Sequence, residues 1–244
     1  MRQVVVVMLA IVALGATSAR PQGKSDTAAL RSPSSQEPTA EYSGMQPGDT
    51  VPRDLREKRN AQHQASGRAP ISELPEGVEE LPVINHWWLE VPAIPAAQSA
   101  LIVIASVADS RAFLSADHTS VYSEFTLSVE RTVRNCARSA EFSRGDRITA
   151  ERAGGAVRFP SGRVQSYRIA NQGFPKNNRR YVVFLKANEE GQDFIIITAY
   201  ELRNGRVKPL DGESQLQFSK YSGTLEEDFL SEVERAAALP CEAS

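Results

Sequence analysis

Between residues 121 and 133 hydrophobicity alternates with a period of two: Phe125, Leu127, Val129 and Val133 share one face, and Glu124, Thr126, Ser128, Glu130 and Thr132 share the other. A helix cannot gather that pattern on one side, because its side chains repeat every 3.6 residues, whereas a strand points successive side chains to opposite faces. The segment therefore reads as a strand half buried against a core, with Arg131 breaking the apolar face near its end. Residues 101–107 are different: their continuous run of Leu, Ile, Val and Ala, interrupted only by Ser106, suits a central strand buried on both faces.

Further strands and turns follow in the same style. Residues 181–185 and 194–200 are strongly β-prone, and the polar segment 188–191 between them has hairpin-loop chemistry. Asn204-Gly205 suits a two-residue hairpin turn, because both central residues must accept positive φ, so residues 206–210 should return along 199–203. Gly145-Asp146 reads as a turn and Gly154-Gly155 as a second turn or bulge. Six or seven short strands without an intervening helix predict a mainly β fold, a small antiparallel barrel or sandwich. One helix closes the chain. Thr224 with Glu227 forms a capping box, Leu225, Phe229, Val233 and Ala237 make the apolar stripe, and Pro240 marks the end. That stripe is expected to lie against the β-structure or to plug one of its ends.

The amino-terminal part has another character. Met1-Arg2, eleven apolar residues from Val4 to Leu14, and the small-residue exit Ala16-Thr17-Ser18-Ala19 predict a cleaved secretory signal peptide. The apolar run is shorter than the about 20 residues needed to span a bilayer, and no cysteine follows to accept a lipid. Residues 20–70 hold only Leu30, Tyr42, Met45, Val51 and Leu55 as large apolar side chains, among six prolines and four glycines. Such a segment is expected to be a disordered tether, since burial cannot offset an ordering cost of roughly 1 to 2 kcal/mol per residue.

The formal net charge of −2 gives no global case for nucleic acid or a membrane surface. Charge is nevertheless segregated: residues 73–130 carry nine acids against Arg111 alone, and residues 152–186 carry eight Lys or Arg and no acid. Cys136 and Cys241 are the only cysteines, too few for a structural zinc site but able to form one disulfide in an oxidising compartment.

Val121-Tyr122-Ser123-Glu124-Phe125, Gly145-Asp146-Arg147-Ile148, Gly154-Gly155, Gly173-Phe174-Pro175 and Arg180-Tyr181-Val182-Val183-Phe184-Leu185 together resemble a group of uncharacterised secreted bacterial proteins. The resemblance covers residues 97–212, about half the chain, and implies secretion and an OB-like β-barrel, similar in strand order to the inhibitory domain of the tissue inhibitors of metalloproteinases. Those inhibitors chelate zinc through an amino-terminal cysteine. This chain has no cysteine before Cys136, so that chemistry is not implied. The expected organisation is a signal at 1–19, a tether at 20–70, an entry segment at 71–96, an OB-like barrel at 97–212, and a C-terminal helix and tail at 213–244.

Catalytic residue types occur without a catalytic pattern. His63, His86 and His118 are scattered and predict no metal site; Asp117-His118 beside Ser115 and Ser120 reads as a solvated loop, since neighbours in sequence rarely converge into a relay. Glu124, Glu130 and Glu151 hold the chemistry of a carboxylate hydrolase but also sit on strand faces that must meet water. Trp87-Trp88 suits packing of the entry segment better than stacking on a sugar. The best candidate for function is the basic stretch, where Arg158, Phe159, Arg163, Tyr167, Arg168, Arg179 and Arg180 interleave cations with aromatic rings, as on faces that bind linear polymers. The competing reading is a hairpin whose arginines pair with the acids of 73–130. The chain is thus expected to be a secreted or periplasmic non-catalytic binding module without cofactor or metal, its ligand an anionic polysaccharide or a secreted protein. Alternatives are an inhibitor or accessory subunit of a secreted enzyme and, more weakly, a carboxylate hydrolase. No nucleic acid, and no membrane span after signal removal, is expected.

Overall fold

A computed structural model describes residues 37–43, 46–78, 87–136, 141–188, 193–212 and 215–241. The proposed signal, His86 and the tip of the 188–191 loop lie outside the described residues. The strands are β1 (Thr39–Glu41), β2 (Leu101–Leu114), β3 (Val121–Asn135), β4 (Arg147–Ala153), β5 (Gly155–Arg158), β6 (Val164–Tyr167), β7 (Arg180–Ala187), β8 (Phe194–Arg203) and β9 (Arg206–Pro209). The α-helices are α1 (Arg53–Gln62), α2 (Leu216–Ser219) and α3 (Glu226–Ala237).

A six-stranded sheet in the order β4-β3-β2-β7-β8-β9 curls until β4 pairs in parallel with β8 through Ala150 and Glu151, so five strands close a barrel and β9 extends it. Leu101, Val103, Ala105, Phe125, Leu127, Val129, Ile148, Ala150, Val183 and Leu185 fill the interior. The alternate residues of β2 and β7, Ile102, Ile104, Val182 and Phe184, face outward into a second core with Tyr200, Leu202, Phe218, Phe229 and Val233. Residues 101–105 are apolar throughout because both of their faces are covered. Trp87 packs on this outer core and its Nε1–H donates to Ala170 O at 3.2 Å.

The alternation in β3 is interrupted by bulges. Partners jump from Ile102↔Arg134 to Val103↔Thr132, and from Ile104↔Arg131 to Ala105↔Val129. Each extra residue reverses the faces beyond it. Val133, expected on the face of Phe125, therefore packs on the outer core, and Arg131 reaches Glu234 of α3 at 2.6 Å.

At the far end of β2 and β3 the chain changes sheets. Gly154 and Gly155 adopt φ of 94° and 147°, and a Cβ on Gly155 would press on Ala112 and Ser123, so β5 leaves the line of β4 close against the β2–β3 hairpin. β5 is the centre of a small sheet, β1-β5-β6, over a third core of Ala40, Ile71, Ala112, Leu114, Val121, Val157 and Phe159. Here the tether expectation is corrected for residues 37–70, where β1 and α1 fall, while residues 20–36 lie outside the described residues. β1 gains order by pairing in parallel with β5, and Ala40 and Ile71 enter the third core. A segment too poor in apolar residues to fold alone borrows a sheet edge and a ready core.

Asn204 and Gly205 have φ of 53° and 70° and turn β8 into β9, as the Asn-Gly pair predicts. The capping box is a second correction. α3 starts at Glu226 with Leu225 as N-cap and without a side-chain cap, because Thr224 is taken into the chain's return along β9, where its carbonyl accepts Val207 N–H at 3.0 Å. Phe229 and Val233 press α3 onto the outer wall of the barrel rather than into its end. Its exit is tied back by a Cys136–Cys241 disulfide with Cα atoms 5.6 Å apart. No helix among the described residues is long and apolar enough to cross a membrane.

Candidate functional site

The arginines of the basic stretch are brought to different places and each meets an acceptor. Arg158 lies 3.7 Å from Glu41, and Arg163 lies 3.5 Å from Glu73 and donates to Leu74 O. Arg168 grips Glu37, Arg179 lies 3.8 Å from Glu201, and Arg180 is shared by Glu130 and Glu226 at 2.7 and 2.5 Å. Phe159 is buried in the third core and Tyr167 packs against it. The expected face of free guanidiniums and stacking rings is thus replaced by dispersed ion pairs. The hairpin reading holds for Glu73 and Glu130, while Glu37, Glu41, Glu201 and Glu226 lie outside 73–130. Two of them arrive with the segment read as a tether.

Arg152 is the extreme case. It continues the inward row of Ile148 and Ala150 to the barrel end, 1% exposed, where it donates to Asp211 at 2.5 Å and to Gly173 O at 2.6 Å. Asp211 also accepts Gly173 N–H and the Thr198 hydroxyl. Gly173 is required there, because a Cβ would run into Leu210 O. This pair fastens the loop that closes the barrel.

The other candidates settle similarly. Asp117 accepts from the Ser115 hydroxyl at 2.8 Å and from the Thr119 hydroxyl at 2.7 Å, capping the β2–β3 turn, and these bonds hold its carboxyl below the ordinary 3.8. His118 turns away to stand edge-on to Tyr42. Glu130 is engaged by Arg180, apart from Glu124 and Glu151. The described residues contain no cluster of His, Cys, Asp and Glu suited to a metal ion.

Glu124 and Glu151 do come together. They are direct cross-strand partners on β3 and β4, and Asp193 stands at the start of β8, the next strand. Like charges directly opposite on a sheet destabilise it unless cations intervene. α1 supplies them. Its sequence, RDLREKRNAQ, has one large apolar residue, Leu55, which is 42% exposed, so the helix docks by its polar side. Arg56 lays its guanidinium fork on both carboxylate oxygens of Glu124, sits 3.6 Å above the Phe113 ring, and donates to the Tyr122 hydroxyl at 3.0 Å. Asp49, in the turn before the helix, takes its Nε at 2.8 Å. Arg59 bridges Glu124, at 3.2 Å, to Asp193. His63 stacks on Tyr122 with ring centroids 3.8 Å apart, and its Nε2 lies 2.9 Å from Glu151.

Burial opposes the charge of Arg56, yet its bonds to Glu124 and Asp49 hold the guanidinium above its ordinary range. Burial likewise works against ionised Asp49, but Arg56 and the Val51 N–H draw its carboxyl below 3.8. Asp193 goes the other way: burial pushes its carboxyl up, against the attraction of Arg59.

The fit is incomplete. Glu151 is 1% exposed and its Oε1 has no hydrogen-bond partner among the described residues, nor has the buried Nε of Arg59. Sequence reasoning noted Glu124, Glu151 and, only as an isolated histidine, His63, but missed Arg56, Arg59, Asp49 and Asp193. The available signal was the i, i+3, i+7 spacing of Arg56, Arg59 and His63, which puts three cationic or cationisable groups on one helix face. No protein-family model and no curated protein matches the sequence.

Proposed function

We propose that the protein is an exported, non-catalytic interaction module, an OB-like barrel that binds a partner through the outer face of β3 and β4. The path of the barrel supports this: counted from β2, the first, second, third, fifth and fourth strands are neighbours in that order. OB barrels bind linear ligands on the face of their second and third strands and on the loops after the first and fourth. In this chain the described parts of these are β3, β4, the turn at 115–120 and Asp193 just before β8. The observation that carries the reading is that this face is charged, lies under a helix, and touches that helix through ion pairs. Fold by itself carries no function, so the argument rests on the chemistry of the face.

The same chemistry speaks against hydrolysis. A catalytic carboxyl pair needs one member free to hold and release a proton, whereas Glu124 is clamped by two arginines and Glu151 lies sealed under His63. An anionic polymer on the basic stretch keeps little residue-level support, since its arginines are engaged.

The test incubates the mature full-length chain with sulfated and carboxylated polysaccharides and with basic polypeptides, measuring binding by titration and ligand integrity by mass. Saturable binding that leaves the ligand intact, weakened by Glu124→Gln and indifferent to Arg158→Glu and Arg168→Glu, is expected. Ligand cleavage, or binding lost only in the arginine reversals, would replace this reading.

A further inference from the structure

We infer that the β3–β4 face is a receptor for an arginine-bearing polypeptide segment of a partner protein, and that α1 is its displaceable in-chain stand-in. The inference rests on the interaction-module reading and adds the class of ligand.

The carboxylates set the ligand's charge. Glu124 and Glu151 oppose each other across β3 and β4 with Asp193 beside them, so the face cannot stand bare without mutual repulsion. The geometry selects arginine over lysine. Both oxygens of Glu124 are met by separate nitrogens of one guanidinium, a planar fork that an ammonium cannot present, and the Phe113 ring lies beneath it as a cation–π floor. Asp193 forms the second acceptor, one helical turn along, for Arg59. A ligand of this face therefore presents two arginines three positions apart.

The way α1 is held makes it exchangeable. Arg56 is its only buried side chain, and none of its residues belongs to the three apolar cores. What fastens it is polar: the ion pairs of Arg56 and Arg59, together with Asn60, whose side-chain oxygen accepts the Tyr122 hydroxyl at 2.8 Å and whose carbonyl accepts Ala116 N–H at 3.0 Å, and polar contacts are open to replacement in kind. What it leaves undone points to another occupant: Glu151, buried and held through Oε2 by His63, keeps an Oε1 that has no hydrogen-bond partner among the described residues. A ligand that brings one more donor fills that vacancy. Because α1 is joined to the barrel, it competes at an effective concentration in the millimolar range, so partner binding is weak until α1 is loosened.

The experiment uses the full chain and a labelled peptide of residues 46–66 as the probe, read by fluorescence anisotropy. Wild-type protein is expected to bind the peptide at least tenfold more weakly than the Arg56→Gln/Arg59→Gln variant, whose own helix no longer competes. Adding Glu124→Gln to that variant should abolish binding, and a peptide with lysine at positions 56 and 59 should bind at least tenfold more weakly. Affinity should also fall steeply from 0.1 M to 1 M salt, as the screening length drops from about 10 Å to about 3 Å. Equal binding to wild type and variant, or none to either with both folded by circular dichroism, overturns the inference. Native-state hydrogen exchange on the wild type decides the matter if the variant does not fold. α1 amides must exchange by local opening, faster at high salt, while β2 and β7 stay protected; exchange of α1 only with the whole barrel overturns it. If these tests fail while the polysaccharide and polypeptide panel still shows binding, only the arginine-segment inference falls. Cleavage of a panel ligand removes the reading beneath it.

Discussion

Arg152 and Arg158, six positions apart in one basic stretch, have opposite fates. Arg152 is buried against Asp211, and Arg158 has a side chain 53% exposed at 3.7 Å from Glu41. Removing one partner of a buried pair leaves a charge without compensation, at about 3–5 kcal/mol, whereas an exposed pair contributes about 0–1 kcal/mol. Arg152→Met and Asp211→Asn are each expected to lose stability in that larger range and Arg158→Met almost none, measured by urea unfolding. Asp49 gives a pH signature. Its folded carboxyl titrates below 3.8, so the stability it provides is present above 3.8 and is lost as pH falls through the lower folded value. The stability gap between wild type and Asp49→Asn should therefore be constant at neutral pH and close below 3.8. Asp193, pushed upward by burial, has the opposite sign, so this difference rather than the acid curve of wild type isolates the Asp49 clamp.

Helices α1 and α3 lie on the same barrel by different physics. α3 buries Phe229 and Val233 on an apolar wall, and α1 lays arginines on carboxylates. Phe229→Ala is expected to cost about 3–5 kcal/mol through the cavity it leaves. Thr224→Ala, by contrast, should cost less than about 0.5 kcal/mol, since Thr224 makes no side-chain cap where a true N-cap is worth about 1 kcal/mol. Thermal or urea unfolding of the two variants separates the helix as built from the helix that its Thr-x-x-Glu pattern suggests. A cost near 1 kcal/mol for Thr224→Ala would restore the capping box.

Across the whole molecule, the disulfide ties the end of α3 to the end of β3 over a sequence separation of 105. A loop that long is worth about 4–5 kcal/mol in the chain-entropy treatment, and measured values often fall short of it. Cys136→Ser/Cys241→Ser should lower the urea midpoint without changing the cooperativity of the barrel transition. Stability unaltered by reductant would show the crosslink to be energetically idle.

Local pattern sufficed for the long barrel strands, though not for β1 or β6. β2 and β7 declared themselves by apolar runs, β3 by its period of two, and the β8–β9 hairpin by Asn204-Gly205, because each signal lies within a few neighbouring residues. Three features needed the tertiary structure: closure of β4 on β8, the face reversals at the β3 bulges, and the seating of residues 37–62. Each depends on groups far apart in sequence. Arg56 meets Glu124 from 68 positions away and Arg168 meets Glu37 from 131. Composition also misleads there. Apolar burial is readable from single residues, since a side chain is apolar in any context. A charged residue reads as surface until the chain brings its counter-charge beside it, which is why the barrel was legible in the sequence and the helix on its acidic face was not.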